Sequence, residues 1–406
     1  MIKNITNVRG IKCWGAHTGV KSMKRDLAII YSEVPAAAAG TLTQNKVRAE
    51  PIKITEKNLA NNRAQVIICN AGNANACTGD QGKEGAEAMV RMTAQMLGIS
   101  EEDVIVASTG IIGVEFPTED VVEGLKVNIP KLSDELKAGS FVANAILTTD
   151  TFAKEGFVDF EYDGVMINMG GVAKGSGMIH PNMATMLAFV VTDFHIDEKL
   201  LQEAVSYCVD RSFNMITVDG DTSTNDMVAV MANGLAGNRK VTSKEDPGYE
   251  VFLEKLLGIL THLAKLIVSD GEGASKFIEY KVTKARTEAI ARTLVRAISD
   301  STLVKTAMFG RDPNWGRIIA AAGNAGVPFN YRKVNLFIGD QNHLVQVLDK
   351  GNPLEFEKSY MKKLLRESHI KVLLELNTGE EEGVGWGSDL TTDYVMFNSV
   401  YTTYSY

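Results

Sequence analysis

Short apolar runs alternate with helical patterns along the whole chain, and some of the runs lie too close together for a helix to join them. This pairing most constrains the fold. Parallel neighbours need a crossover of a dozen or more residues, whereas a two-residue turn joins only antiparallel strands. Phe157–Met169 reads as such a hairpin, turning at Asp163-Gly164. Asp26–Tyr31, Ala64–Cys69, Val104–Ala107, Met186–Val191 and Met227–Ala232 read as strands, followed by Phe277–Val282, Val334–Ile338, Ile370–Leu376 and Tyr394–Phe397. Ala143–Leu147 is a further apolar run, read as the end of a buried strand. Helices are expected from Gly82 to Leu97, ending at Gly98, after Pro117, after Asp197, and over Phe252–Val268, Thr287–Ile298, Trp315–Ala322 and Leu354–Arg366. The mixture favours a layered α/β fold over a doubly wound parallel sheet.

At 406 residues the chain exceeds the usual size of one core, so two domains are expected, divided near 280 into 1–280 and 281–406. Forty-two basic against 50 acidic residues give a net charge of −8, which argues against nucleic acid as a partner. No apolar stretch approaches the roughly 18 residues that span a bilayer, and Met1-Ile2-Lys3-Asn4-Ile5 lacks an apolar signal region. The four cysteines form no CxxC pair, so neither a zinc site nor a disulfide framework is suggested; the chain reads as cytoplasmic.

The segment Lys174–Leu187, Lys-Gly-Ser-Gly-Met-Ile-His-Pro-Asn-Met-Ala-Thr-Met-Leu, sets Thr185 between Ala184 and an apolar run. Thr185 has two readings. It is a β-branched residue opening a strand. It can also become a nucleophile if the chain is cut before it, because the new α-amine, with a reference pKa of about 7.7–8.0, then serves as its base. Gly175, Gly177 and Pro181 prescribe a constrained turn just upstream. An acyl-transfer nucleophile needs an oxyanion site, and Ser108-Thr109-Gly110 at the end of a strand offers the Thr109 hydroxyl and the Gly110 N–H. It is also an ordinary strand-to-loop turn.

Lys174 is a candidate for holding a substrate carboxylate or is a solvated hairpin lysine. Thr148-Thr149-Asp150-Thr151 lines a site or caps an element. Glu272, flanked by Gly271 and Gly273, pairs with an ammonium group or sits in a surface turn. Asp219–Asp226 has the composition of a calcium loop but not its spacing, and reads as a hydrogen-bonded loop near the site, with no metal. Gly310–Arg317 starts a helix that would suit an anion or serves as a structural turn.

Together, Asn70–Gly79, Ser108–Gly113, Thr148–Thr151, Lys174–Leu187, Ser212–Asp226, Asp270–Gly273 and Lys305–Arg317 resemble, in order and over essentially the whole chain, the ornithine acetyltransferase (bifunctional glutamate N-acetyltransferase) family of arginine biosynthesis. The resemblance implies an αββα-type sandwich with a second, smaller α/β domain. It implies autocatalytic cleavage between Ala184 and Thr185 and assembly of the two resulting chains as an α2β2 heterotetramer. Thr185 would carry the acetyl group, Thr109 and Gly110 would form the oxyanion hole, and Thr148, Lys174, Thr185, Glu272, Asn398 and Thr403 would bind substrate. The reaction implied moves the acetyl group of N2-acetylornithine to glutamate without metal or organic cofactor, with acetyl-CoA a candidate second donor. Thr41–Asn45 departs from the family's usual form, and Tyr404-Ser405-Tyr406 extends past the usual end. Two other readings stay open: a self-cleaving amidohydrolase or aminopeptidase, and a non-catalytic small-molecule binder.

Overall fold

The structure, a computed structural model, describes residues 3–180 and 186–400. The strands are β1 Ile11–Ala16, β2 Leu27–Leu42, β3 Arg63–Asn73, β4 Val104–Ile111, β5 Lys154–Tyr162, β6 Val165–Lys174, β7 Leu187–Thr192, β8 Ile216–Thr217 and β9 Met227–Ala232. They continue as β10 Phe277–Ala285, β11 Asn335–Asp340, β12 Leu344–Asp349, β13 Asn352–Pro353, β14 His369–Glu375 and β15 Glu381–Ser388. One sheet runs β4-β3-β2-β9-β7-β6-β5, with β1 added on β2; the other runs β13-β12-β11-β14-β10-β15-β8.

The long strand β2 turns the first sheet into two layers. Its first half pairs with β1 and β3, and its second half with β9. Between them lie Pro35 and a break in register between Tyr31 and Ala36. Proline has no N–H to give a ladder, so a strand bends there. The two halves then face each other across one core. Ile67, Cys69, Ile105 and Ala107 of one half share it with Leu187, Phe189, Val191, Met227, Ala229 and Met231 of the other. The alternate residues face outward onto helices, as period-two strands require. Val66, Ile68, Val104 and Val106 pack on helices Gly79–Leu97 and Thr118–Asn128. Ala188, Val190, Val228 and Val230 pack on the side of helices Glu198–Arg211 and Pro247–Ser269. The order helix, sheet, sheet, helix is the layered α/β sandwich expected from the sequence.

The second sheet carries helix Glu288–Asp300 on β10 and β15. Helix Pro247–Ser269 touches both sheets, and one apolar cluster continues from β7 and β9 through this helix to β10, β11 and β14. The two-residue strand β8 joins the second sheet from residues 216–217.

The β5–β6 hairpin turns at Asp163 (φ 56°) and Gly164 (φ 74°), the pair of positive φ values that a two-residue I′ turn demands. Two strand expectations are corrected. Ala143–Leu147 is not a strand: Ala143 and Ala145 belong to helix Leu136–Ala145, whose Ala138, Gly139, Val142, Ala143 and Ala145 are buried at helical spacing. Its backbone lies so close to β1 that a Cβ on Gly15 would stand 2.1 Å from the Phe141 carbonyl oxygen. Tyr394–Phe397 is also helical, within Thr392–Ser399, capped by the Thr391 hydroxyl accepting the Tyr394 N–H at 3.1 Å. Val395 and Met396 are exposed, so the apolar run there reports no strand core. The helix expected over Leu354–Arg366 is confined to Lys358–Leu364.

Candidate active site

Strand ends and the loops after them converge on one cavity of about 330 Å³. Strand β4 brings Thr109 and Gly110, and β6 brings Lys174. The loop after helix Leu136–Ala145 brings Thr148 and Thr149, the turn after helix Pro247–Ser269 brings Glu272, and helix Thr392–Ser399 brings Asn398. Met186 and Leu187, at the start of β7, line it as well. Thr109, Gly110, Thr148, Lys174, Glu272 and Asn398 are therefore neighbours, although nearly 300 residues separate the first from the last. Ala184, Thr185 and Thr403 lie outside the described residues, as do Tyr404-Ser405-Tyr406; Thr185 directly precedes Met186 in the chain.

Gly110 has φ +136°, a backbone conformation that side chains disfavour. A Cβ there would stand 2.3 Å from the Gly72 carbonyl carbon, because β3 and β4 shift register at Gly72/Asn73. Asn225 holds the same edge: its side-chain amide donates to the carbonyls of Ala74 at 2.5 Å and Ser108 at 2.8 Å. Buried Asn70 accepts from the Ser108 hydroxyl and donates to the Asn73 carbonyl at 2.9 Å. The Thr109 hydroxyl oxygen accepts from the Lys174 ammonium at 3.4 Å, which leaves the hydroxyl proton to donate elsewhere. A glycine N–H and a threonine hydroxyl at adjacent positions are the donor types an oxyanion requires.

The loop Thr148–Thr151 is fixed by carboxylates. Asp150 accepts the N–H of Thr148 at 3.0 Å and of Gly175 at 2.6 Å. Burial raises the Asp150 carboxyl, but Lys174 and Lys154 outweigh it and hold the group down at about 2. Lys154, fully buried, donates to Asp150 and to Asp270 at 2.6 Å each.

Glu272 is anchored by its own N–H, which donates to the Ser176 carbonyl at 2.9 Å. Its carboxylate accepts from the Asn398 amide at 3.0 Å. Burial pushes its carboxyl above the usual range, against the opposing pull of hydrogen bonds from Thr149 and Asn398.

The loop Asp219–Asp226 borders the cavity, as expected, through Ser223, Asn225 and Asp226. Asp219 accepts the N–H groups of Met178 at 2.6 Å, Ile179 at 2.7 Å and Asp221 at 3.3 Å, so its carboxylate serves the backbone of the turn after β6. Among the described residues no group of three or more His, Cys, Asp and Glu side chains is arranged to hold a metal ion. His180 approaches Thr217 and Asp300, each at 3.3 Å.

Sequence reasoning missed Lys154, and it named the segments of Thr149 and Asn225 without singling out either residue. Lys154 lies just before the hairpin read from the sequence, at the first residue of β5, and nothing local marks it as buried. The i,i+4 spacing from Asp150 would have meant something only on a helix. Asn225 was part of a polar loop whose individual contacts no spacing reveals.

The profile of the ArgJ family matches residues 12–403. The arginine biosynthesis bifunctional protein ArgJ of Symbiobacterium thermophilum is 46% identical over 405 residues, covering 98% of each chain. The protein of the same name from Staphylococcus epidermidis is 46% identical over 401 residues, again 98% of each. A crystal structure of arginine biosynthesis bifunctional protein ArgJ from Bacillus halodurans is 43% identical, with a TM-score of 0.50, and covers 53% of this chain and 99% of its own. A match of this length at these identities leaves one conclusion: the chain belongs to the ArgJ family.

Proposed function

We propose that the protein transfers the acetyl group of N2-acetylornithine to glutamate, giving ornithine and N-acetylglutamate, after cutting itself between Ala184 and Thr185. The relatives are named as bifunctional proteins of arginine biosynthesis, which agrees with an acetyl transfer in that biosynthesis. The observation that carries the reading is the meeting of an oxyanion-type pair, Thr109 and Gly110, with an ammonium, Lys174, and a carboxylate, Glu272, on one cavity lined also by the residues that follow Thr185.

In this reading the Thr185 Oγ attacks the acetyl carbonyl while its α-amine takes the hydroxyl proton. The oxyanion accepts from the Gly110 N–H and the Thr109 hydroxyl. The C–N bond to ornithine breaks as the leaving nitrogen gains the proton, and an acetyl ester remains on Thr185. The amine of glutamate then attacks that ester, and Thr185 regains its proton. Lys174 pairs with the α-carboxylate common to both amino acids, with Thr148 beside it. Glu272 pairs with the side-chain ammonium of ornithine, and Asn398 orients that carboxylate. No cofactor enters either step, and acetyl-CoA is a second acetyl donor for glutamate. Two cleaved chains assembled as α2β2 in the cytoplasm complete the reading; among the described residues no helix is long and apolar enough to cross a membrane.

The test is direct. Purified protein is incubated with N2-acetylornithine and glutamate, and N-acetylglutamate is measured against free acetate. Stoichiometric N-acetylglutamate supports the proposal, and acetate alone replaces it with an amidohydrolase. A parallel reaction with acetyl-CoA and glutamate decides the second donor.

A further inference from the structure

The buried charges behind the cavity form one connected group. Lys154 has no solvent exposure, and its ammonium has three oxygen partners: Asp150 Oδ1 and Asp270 Oδ2 at 2.6 Å and the Phe152 carbonyl at 3.4 Å. An ammonium has three protons, so its donor capacity is filled. Asp150 holds the cavity wall directly, and Asp270 holds the segment beside it and the turn that leads to Glu272. Asp150 accepts the Thr148 and Gly175 N–H groups, and so ties down the backbone beside Lys174. Asp270 stands two residues before Glu272 and accepts the Thr151 N–H at 3.0 Å and the Thr151 hydroxyl. Both aspartates, 150 and 270, face the Lys154 ammonium, and Lys174 adds a second positive charge near Asp150.

We propose that Lys154 is a positioning residue that couples the two ends of the amino-acid clamp, holding the carboxylate end (Thr148 and Lys174) through Asp150 and the ammonium end (Glu272) through Asp270. The inference rests on the substrate reading above and goes beyond it by assigning a spacing function to a residue that does not touch the cavity. Long side chains such as Lys174 have many rotamers, and their usefulness depends on the backbone that launches them. With both ends pinned to one ammonium, the distance between the carboxylate-binding and ammonium-binding groups is set once. It is set without solvent, where each charge-assisted hydrogen bond is strong and short.

The two arms are separable by experiment. The probes are N2-acetylornithine and its analogue lacking the side-chain amine, N-acetylnorvaline. In Asp270→Asn, KM for N2-acetylornithine is expected to rise about tenfold and that for the analogue clearly less, because the Glu272 end is loosened while Thr148 and Lys174 keep their hold on Asp150 and the loop loses only its Thr151 contact. In Asp150→Asn, KM for both rises by the same factor, because both carry the α-carboxylate. Lys154→Met, which cuts both arms, combines the two defects. The inference is overturned if the two Asn variants raise both KM values alike, or lower the melting temperature without moving either. Failure of the substrate reading looks different: the unsubstituted protein then transfers no acetyl group from N2-acetylornithine.

Discussion

Gly177 leaves open the space that the Glu272 carboxylate fills: a Cβ on Gly177 would lie 2.2 Å from Glu272 Oε2 and 2.3 Å from its Cδ. The two residues are 95 positions apart, and the Glu272 N–H bonds to the carbonyl of Ser176 next door. Gly177→Ala must therefore push the carboxylate away from Asn398. The expected outcome is a rise in KM for N2-acetylornithine of about tenfold with kcat much less changed, because the displaced group is the one proposed to bind substrate and does no chemistry in that reading. Steady-state kinetics with both substrates checks it.

Gly110→Ala strikes the proposed oxyanion site. The substitution meets a φ of +136° and a Cβ position 2.3 Å from the Gly72 carbonyl carbon, so the N–H direction changes with the backbone. Loss of one oxyanion donor costs about 2.7–4 kcal/mol of barrier, so kcat should fall ~10²–10³-fold. Thr109→Val tests the other donor without backbone strain and should fall in the same range. Circular dichroism before and after each change separates chemistry from unfolding.

The carboxyl of Glu272 titrates above the ordinary glutamate range because burial outweighs its hydrogen bonds from Thr149 and Asn398. The sign follows from which form binds an ammonium. In the proposed reading the group is charged above that raised pKa and pairs with the ornithine side chain; as pH falls through it, the group becomes neutral and the attraction is lost. KM for N2-acetylornithine should thus climb on acidification at a higher pH than an exposed glutamate would give. KM for the analogue without the side-chain amine should not share that climb. A pH series of kcat/KM for the two substrates measures the difference.

Thr185→Ala removes both proposed uses of one hydroxyl. The variant should migrate as a single chain of 44.1 kDa in denaturing electrophoresis and make no N-acetylglutamate. The unsubstituted protein should resolve into residues 1–184 and 185–406. Transfer activity retained by Thr185→Ala would remove Thr185 as the nucleophile.

Local chemistry was legible wherever a short-range rule operates. The Asp163-Gly164 hairpin, the Asp197 cap and the Met227–Ala232 strand follow from turn preference, capping and a short continuous apolar run, and all are present. The same rules failed where burial broke the pattern: Tyr394–Phe397 is apolar yet exposed on a helix, and Lys154 is charged yet wholly enclosed.

By itself, the sequence determined the alternation of elements and, through seven ordered motifs, the family. It also named the groups that carry the proposed chemistry, because motifs record residue types in order. Only the tertiary structure decided how those groups meet. Pro35 and the register break in β2 fold one sheet onto itself, and β4 and β6 then end beside the turn that carries Glu272. Tertiary packing alone also joined Asp150 and Asp270 through Lys154. The physical reason is that burial and pairing of charges depend on elements more than a hundred residues apart, and no local pattern encodes that distance.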